Sequence, residues 1–402
     1  MKKLLACIFA VSVITTAAFS KNFFSQRFFE VKVGAEADFS NNLFGLNDFL
    51  KKDLVVDLRK IANECPDSGF NIRADAQPSI AFNINIRDIH VGFSTGSEVY
   101  SSMTVGDDLF DFLGYGNTIG EPMDFSFKTD ADIFAFSKVD VGFRLGKFKI
   151  NVQPAVFLPL LSIRDSGGTI NVVNDSDGNL FVNMNTNMTV YSISDLESRD
   201  GEISLDSTQL STALARGYGF DIGGGVSYQL TGTLALEATC RIPLIPGHLY
   251  HRADIQQGSG YAMKFTDFGS SESNKSDTVV TNEESDLAVT RPLKLNIYAD
   301  KNLLGSLFTA RAGAGFGVRR PFSDSASFYP EYYLGINLNL INILKVGVST
   351  EYTDQIFIHQ FGTTLNVRVF QLDLGISTQS SNFIKSLSVA GIGVYTYVTF
   401  GF

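Results

Sequence analysis

Hydrophobic residues recur at every second position through most of this chain. Across residues 29–39, Phe29, Val31, Val33, Ala35, Ala37 and Phe39 take one face, while Glu30, Lys32, Gly34, Glu36 and Asp38 take the other. That is the period of a β-strand. Charges on one face and apolar side chains on the other place water on the first side and an apolar medium on the second. The alternation returns over 70–85, 89–95, 139–145, 148–156, 218–230 and 234–242. It then recurs, more tightly spaced, over 293–299, 308–318, 332–340, 344–352, 361–369, 372–378 and 390–402. The count comes to about fourteen strands.

The connections alternate as well. Short links at Arg87-Asp88, Gly146-Lys147 and Thr231-Gly232-Thr233 follow long ones near 40–69, 97–130, 162–216 and 246–290. An antiparallel up-and-down barrel with long outer loops and short inner turns has this rhythm. Within the loops, Leu54, Leu58 and Ile61 take helical spacing, preceded by a shorter stripe of Leu46, Phe49 and Leu50, and Leu109 to Leu113 is a further short helix. Asp177-Gly178 reads as a hairpin turn with arms at 169–173 and 180–184. The predicted fold is therefore all-β: a transmembrane antiparallel barrel with short helices in its outer loops.

Both termini fit this picture. Met1-Lys2-Lys3 and the apolar run Leu4 to Ile14 form a segment too short to span a bilayer. With Ala18-Phe19-Ser20 behind it, residues 1–20 read as a secretory signal peptide cut near Ser20, leaving 21–402 as one barrel domain. At the other end Phe400 and Phe402 match the carboxyl-terminal assembly signal of bacterial outer-membrane barrels. The expected location is thus the outer membrane of a diderm bacterium, with membrane lipid and the barrel-assembly machinery as partners.

Composition changes the picture only in detail. The chain holds 35 Phe, 36 Gly and no Trp, so an aromatic girdle would be built from Phe and Tyr. A net charge of −10 argues against nucleic acid. Cys65 and Cys240 are the thiols left after processing, and both are expected to be unpaired. No Gly-x-Ser-x-Gly, His-Glu-x-x-His or phosphate-binding loop occurs. His359 near the outer rim, and His248 with His251, are the places where catalysis or a metal would otherwise be sought. The chain therefore reads as a non-enzyme without cofactor or metal. Lys32, Arg73, Asp75, Arg144, Arg311, Arg319 and Arg368 are the lumen-facing candidates, and their mixed signs give no single-signed filter. Pro78 and Pro154 fall within alternating strands, where a missing N–H marks a rim, a bulge or an opening in the wall.

With this architecture, and with stretches such as Asn42 to Leu50 and Gly217-Tyr218-Gly219-Phe220-Asp221-Ile222-Gly223, the chain resembles the FadL-type long-chain fatty-acid transporters. The resemblance implies uptake of hydrophobic small molecules through a plugged barrel with an opening in its wall. The family's plug precedes the first strand. Here only residues 21–28 do, so 41–69 is the segment available for that role. A polar diffusion channel and a surface interaction protein working through its long loops remain as alternatives.

Overall fold

The computed structural model describes residues 27–45 and 57–402, apart from 178, 200–201, 207, 210–211, 213, 265–266, 276–277, 306 and 341–342. The expected signal peptide and the apolar stripe from Leu46 to Leu54 lie outside the described residues.

In chain order the strands are β1 (Phe29–Asn41), β2 (Phe70–Ala76), β3 (Ser79–Ile86), β4 (Ile89–Val105), β5 (Met123–Leu145), β6 (Phe148–Asn174) and β7 (Asn179–Ser192). A small separate pair follows, β8 (Leu196–Arg199) and β9 (Glu202–Leu205). Next come β10 (Gly219–Thr231), β11 (Leu234–Ile245), β12 (Gly247–Lys264), β13 (Asp267–Lys275), β14 (Val279–Val289), β15 (Leu293–Leu303) and β16 (Phe308–Arg319). The last five are β17 (Ser327–Leu340), β18 (Leu344–Thr353), β19 (Ile356–Val367), β20 (Phe370–Ser380) and β21 (Ile392–Gly401). Among the described residues three short helices interrupt them: α1 (Leu58–Glu64), α2 (Asp108–Tyr115) and α3 (Phe383–Leu387).

Every pairing is antiparallel, and β21 returns to β1 from Glu30 opposite Gly401 to Phe39 opposite Ile392, so the sheet closes on itself. Closure matters because a backbone edge left unpaired in lipid costs several kcal/mol per group. Phe402 sits on the seam. Its carbonyl accepts from Phe28 N–H at 2.7 Å, and its ring lies 5.9 Å from that of Phe29.

The barrel has sixteen strands, not about fourteen. Four columns of the wall each hold two strands end to end, β2 above β3, β7 above β10, β12 above β11 and β14 above β15. Alternation alone merges the first pair and reads β7 only as a hairpin arm within a loop, at 180–184.

Burial is inverted relative to a water-soluble protein. Ile297 and Leu334 are each 65% exposed, while Asp221 is 1% and Arg291 and Glu98 are 4% exposed. Such a surface is stable only against hydrocarbon, with the polar groups satisfying one another inside. Among the described residues no helix is long and apolar enough to cross a membrane.

Outside the membrane belt, the polar stretches read as loops are largely sheet. β6 continues to Asn174, and β7, β12, β13 and β14 pair beside it as a sheet rising from the rim. The hairpin at Asp177 is present, with arms far longer than expected. Likewise 246–290 is three strands, and much of 97–130 belongs to β4 and β5. Above the membrane both faces of a strand meet water, so apolar alternation, the signal used to find strands, fades there.

At the same end α1 packs on α2 through Ala62 and Phe110, with Phe44 and Phe70 against them, the Phe44 and Phe70 rings 5.3 Å apart. Lys385 of α3 reaches Glu64 of α1 at 2.6 Å. The described part of 41–69 is thus built into a helical cluster at the outer rim. Cys65 and Cys240 are both free thiols.

Candidate functional site: the lumen and a break in its wall

Glycine on the inward face of a strand leaves room against the wall. That room is filled by tyrosines of adjoining strands. A Cβ placed on Gly34 would lie 1.9 Å from Tyr397, one on Gly375 2.0 Å from Tyr395, one on Gly313 2.2 Å from Tyr298, and one on Gly317 2.2 Å from Tyr329. Each ring lies flat over a glycine, covering backbone that would otherwise be bare. Cations then stack on several rings, Lys32 at 3.9 Å from Tyr397 and Arg311 at 4.0 Å from Tyr298. The inner wall is therefore layered, with glycine, tyrosine and cation following one another toward the axis.

Further out the lumen is crossed by ion pairs. Glu98 of β4 accepts from Arg241 of β11 at 2.9 Å and from both Nε and Nη2 of Arg291 at 3.1 and 2.6 Å. Arg291 also donates to Asp221 of β10 at 2.7 Å. Arg320 joins Asp132 of β5 at 2.9 Å and grips Asp130 with two nitrogens. Arg73 and Arg319 converge on Asp354, and Asp75 stands near them with its Oδ1 buried and unbonded. Lys294, Asn296 and Thr353 all donate to Glu331, within 2.8 Å. Opposite charges meet throughout, so the interior presents no single-signed path.

The lumen-facing candidates divide accordingly. Lys32, Arg73, Asp75, Arg311 and Arg319 point inward and take part in the contacts above or lie beside them. Arg144 and Arg368 do not: both are exposed in or beside short turns at the inner rim, where the strand has left the belt and the two-residue period no longer assigns a side. The central cation, Arg291, was not singled out. It lies between β14 and β15, outside any alternating segment.

The wall is closed at Pro78. β1 sets Gly34 opposite Ser79 and Ala37 opposite Ala76, and β4 sets Gly96 and Val99 opposite the same two residues, the spacing of an unbroken strand. Gln77 N–H still donates to Glu36 O at 3.3 Å and Ser97 N–H to Pro78 O at 3.0 Å. At Pro154 the register also carries through, with Ile222 opposite it on β10 and Ala155 and Val152 still matched to Lys138 and Val141.

The ladder parts elsewhere. β11 pairs with β15 up to Arg241 opposite Lys294, and pairing resumes only at Gly247 opposite Val289. Residues 242–246 and 290–293 face each other without a backbone bond, and Pro243, Pro246 and Pro292 flank the interval. Prolines on both sides remove donors the ladder would need. Leu244 and Ile245 are 54% and 56% exposed there. Pro243 stands ten residues above the turn at Gly232-Thr233, on the order of 25 Å up a tilted strand and so near the outer edge of the belt. Arg241 bridges the interval by donating to Pro292 O at 2.9 Å, and Arg291 carries its charge from the interval into the lumen. The run Arg241-Ile242-Pro243-Leu244-Ile245-Pro246 against Thr290-Arg291-Pro292 was the signal in the sequence.

The three candidate histidines are engaged at separate places. His359 Nε2 lies 2.9 Å from Ser386 Oγ and Nδ1 3.0 Å from Thr350 Oγ1, with no carboxylate among its partners. His248 and His251 each meet a separate carboxylate, Asp286 at 2.5 Å and Asp195 at 2.8 Å. Among the described residues no three His, Cys, Asp or Glu side chains gather as a metal cluster.

No family model matches the chain, and no curated protein matches it in sequence. Among solved structures it is similar to the Pseudomonas putida toluene transporter TodX, with 10% identity, a TM-score of 0.47, and 94% of this chain and 91% of that chain covered. It is also similar to the translocator domain of the autotransporter NalP from Neisseria meningitidis, with 8% identity, a TM-score of 0.34 and coverage of 100% and 94%. Likeness this distant says nothing about a ligand.

Proposed function

We propose that this protein is an outer-membrane uptake channel for hydrophobic small molecules, of which long-chain fatty acids are one class, and that its ligand passes between lumen and outer leaflet through the interval between β11 and β15. The observation that carries this reading is the position of Arg291. It sits in the one stretch described above where facing strands lose their backbone pairing, and its guanidinium is buried on Glu98 and Asp221 across the lumen. A lumen tied shut by buried ion pairs is unsuited to free diffusion of polar solutes. An apolar ligand can instead use a path lined by Leu244 and Ile245 once that latch yields.

The reading is tested by uptake into cells lacking the endogenous route, comparing a labelled long-chain fatty acid with a labelled sugar, together with a mass spectrum of what co-purifies. Fatty-acid uptake that falls when Leu244 and Ile245 are both changed to Ser supports it. Sugar uptake without fatty-acid uptake would give the polar channel instead. The tall polar sheet formed by β6, β7, β12 and β14 favours a second role at the cell surface, taken up next.

A further inference from the structure

Beyond the membrane, Asp195, Gln209, Thr212 and Arg216 lie against β12 and β14 around a half-open cavity of about 490 Å³. Its walls are tied together by side chains whose polar ends are already engaged. Asn282 accepts from Leu196 N–H at 3.1 Å and donates to Leu196 O at 2.9 Å. Gln209 donates to Asp195 Oδ2 at 2.8 Å and accepts from Asp195 N–H at 3.3 Å. Asp195 Oδ1 meets His251 Nδ1 at 2.8 Å, which ties the lid to the sheet beneath. The cavity is therefore pre-shaped, and its form does not wait on a ligand.

What is left facing the space is a different set: Glu283, Glu284, Thr212 and Arg216. The Arg216 guanidinium lies 4.5 Å over the Tyr250 ring, which fixes its plane and leaves its N–H edges for bonding. Glu283 has a distant ionic partner, Arg252 at 4.0 Å, and Glu284 has none among the described residues. Carboxylates that accept, a guanidinium that donates and a hydroxyl that does either form the complement of a ligand carrying several hydroxyls. The surplus of carboxylate over guanidinium then favours an amine on that ligand and disfavours an acid.

We infer that this cavity is a binding site for an amine-bearing, polyhydroxylated small molecule of the amino-sugar class, presented on the outer face of the protein. The site lies away from the lumen and from the interval between β11 and β15. Its occupancy and hydrophobic uptake are separate properties of the molecule.

The test is calorimetric titration of the purified full-length barrel with glucosamine, glucose and glucuronate at matched ionic strength. Glucosamine should bind saturably, glucose more weakly, and glucuronate not at all. Glu284→Gln should weaken glucosamine roughly tenfold, the loss of one charge-assisted hydrogen bond, and bring it close to glucose. Thr212→Val should weaken glucosamine and glucose alike, which a purely electrostatic attraction to the acidic surface would not produce. Heat-modifiable migration on gels shows that each variant is a folded barrel. No saturable binding of glucosamine, glucuronate binding as well as glucosamine, or two folded variants that bind as the wild type does would each overturn the proposal.

Discussion

Arg291 and Glu98, 193 residues apart in sequence, meet through two nitrogens of one guanidinium at 2.6 and 3.1 Å, and each is 4–5% exposed at its side chain. The pair joins the interval between β14 and β15 to the opposite wall. It is a structural tie and, on the proposed lateral route, the element that has to release.

Removing one partner leaves an unpaired buried charge, which costs about 3–5 kcal/mol. Arg291→Met should therefore lower stability strongly in urea unfolding, followed by loss of heat-modifiable migration. Asp221→Asn combined with Arg291→Met should recover part of that loss, because Asp221 is the carboxylate left without its cation while Glu98 keeps Arg241. A single variant as stable as the wild type would mean that the pair is not held as described.

The glycine and tyrosine layers make a second prediction. A side chain at Gly317 has no space, since its Cβ would lie 2.2 Å from Tyr329. Gly317→Val should cost roughly 1–3 kcal/mol through forced rearrangement, and Tyr329→Ala in the same chain should relieve most of it. Additive losses in the double variant would separate the two residues.

Much of the membrane wall was legible because lipid on one side and a polar interior on the other impose a strict period on β1, β4, β5 and β16 to β21. Of the outer sheet only the hairpin arms beside Asp177 were legible. Asn183, Asn185 and Asn187 of β7 are exposed and alternate with Val182, Met184 and Thr186, a pattern that reads as a short hairpin arm and not as part of a tall sheet. Inward glycines could be counted, but a one-dimensional pattern does not say that Tyr397 or Tyr298 of a neighbouring strand lies over them. Arg291 escaped for a related reason. Its importance comes from Glu98 and Asp221 on distant strands, and its own tripeptide, Thr290-Arg291-Pro292, looks like an ordinary loop.

Phe402 closes the seam through the bond from Phe28 N–H to its carbonyl and through its contacts with the Phe28 and Phe29 rings. Phe400 packs on Phe370 at 5.4 Å. Phe402→Ala, or a charged tag placed after it, should reduce the amount of assembled barrel recovered in outer-membrane fractions. Undiminished recovery would show that neither the seam nor an assembly signal depends on this ring.

Burial beside α1, with Asp107 and Asp111 nearby, pushes the Cys65 thiol up to about 11. The thiolate is the reactive form, so a raised value means less of it at any pH below 11. In a Cys240→Ser background, alkylation of Cys65 by iodoacetamide should be slow at pH 8 and keep accelerating beyond pH 9.5, where an ordinary thiol has levelled off. A rate that levels off near pH 9 would place Cys65 in a more open setting than this one.

The central claim is that buried ion pairs hold the lumen closed until an apolar ligand displaces them. Single-channel recording in planar bilayers addresses it most directly. The wild-type protein should show no steady open conductance of porin size, while the Glu98→Gln, Arg291→Met double variant should open frequently. A steady, ohmic, porin-like current through the wild type, unchanged in the double variant, would contradict the account.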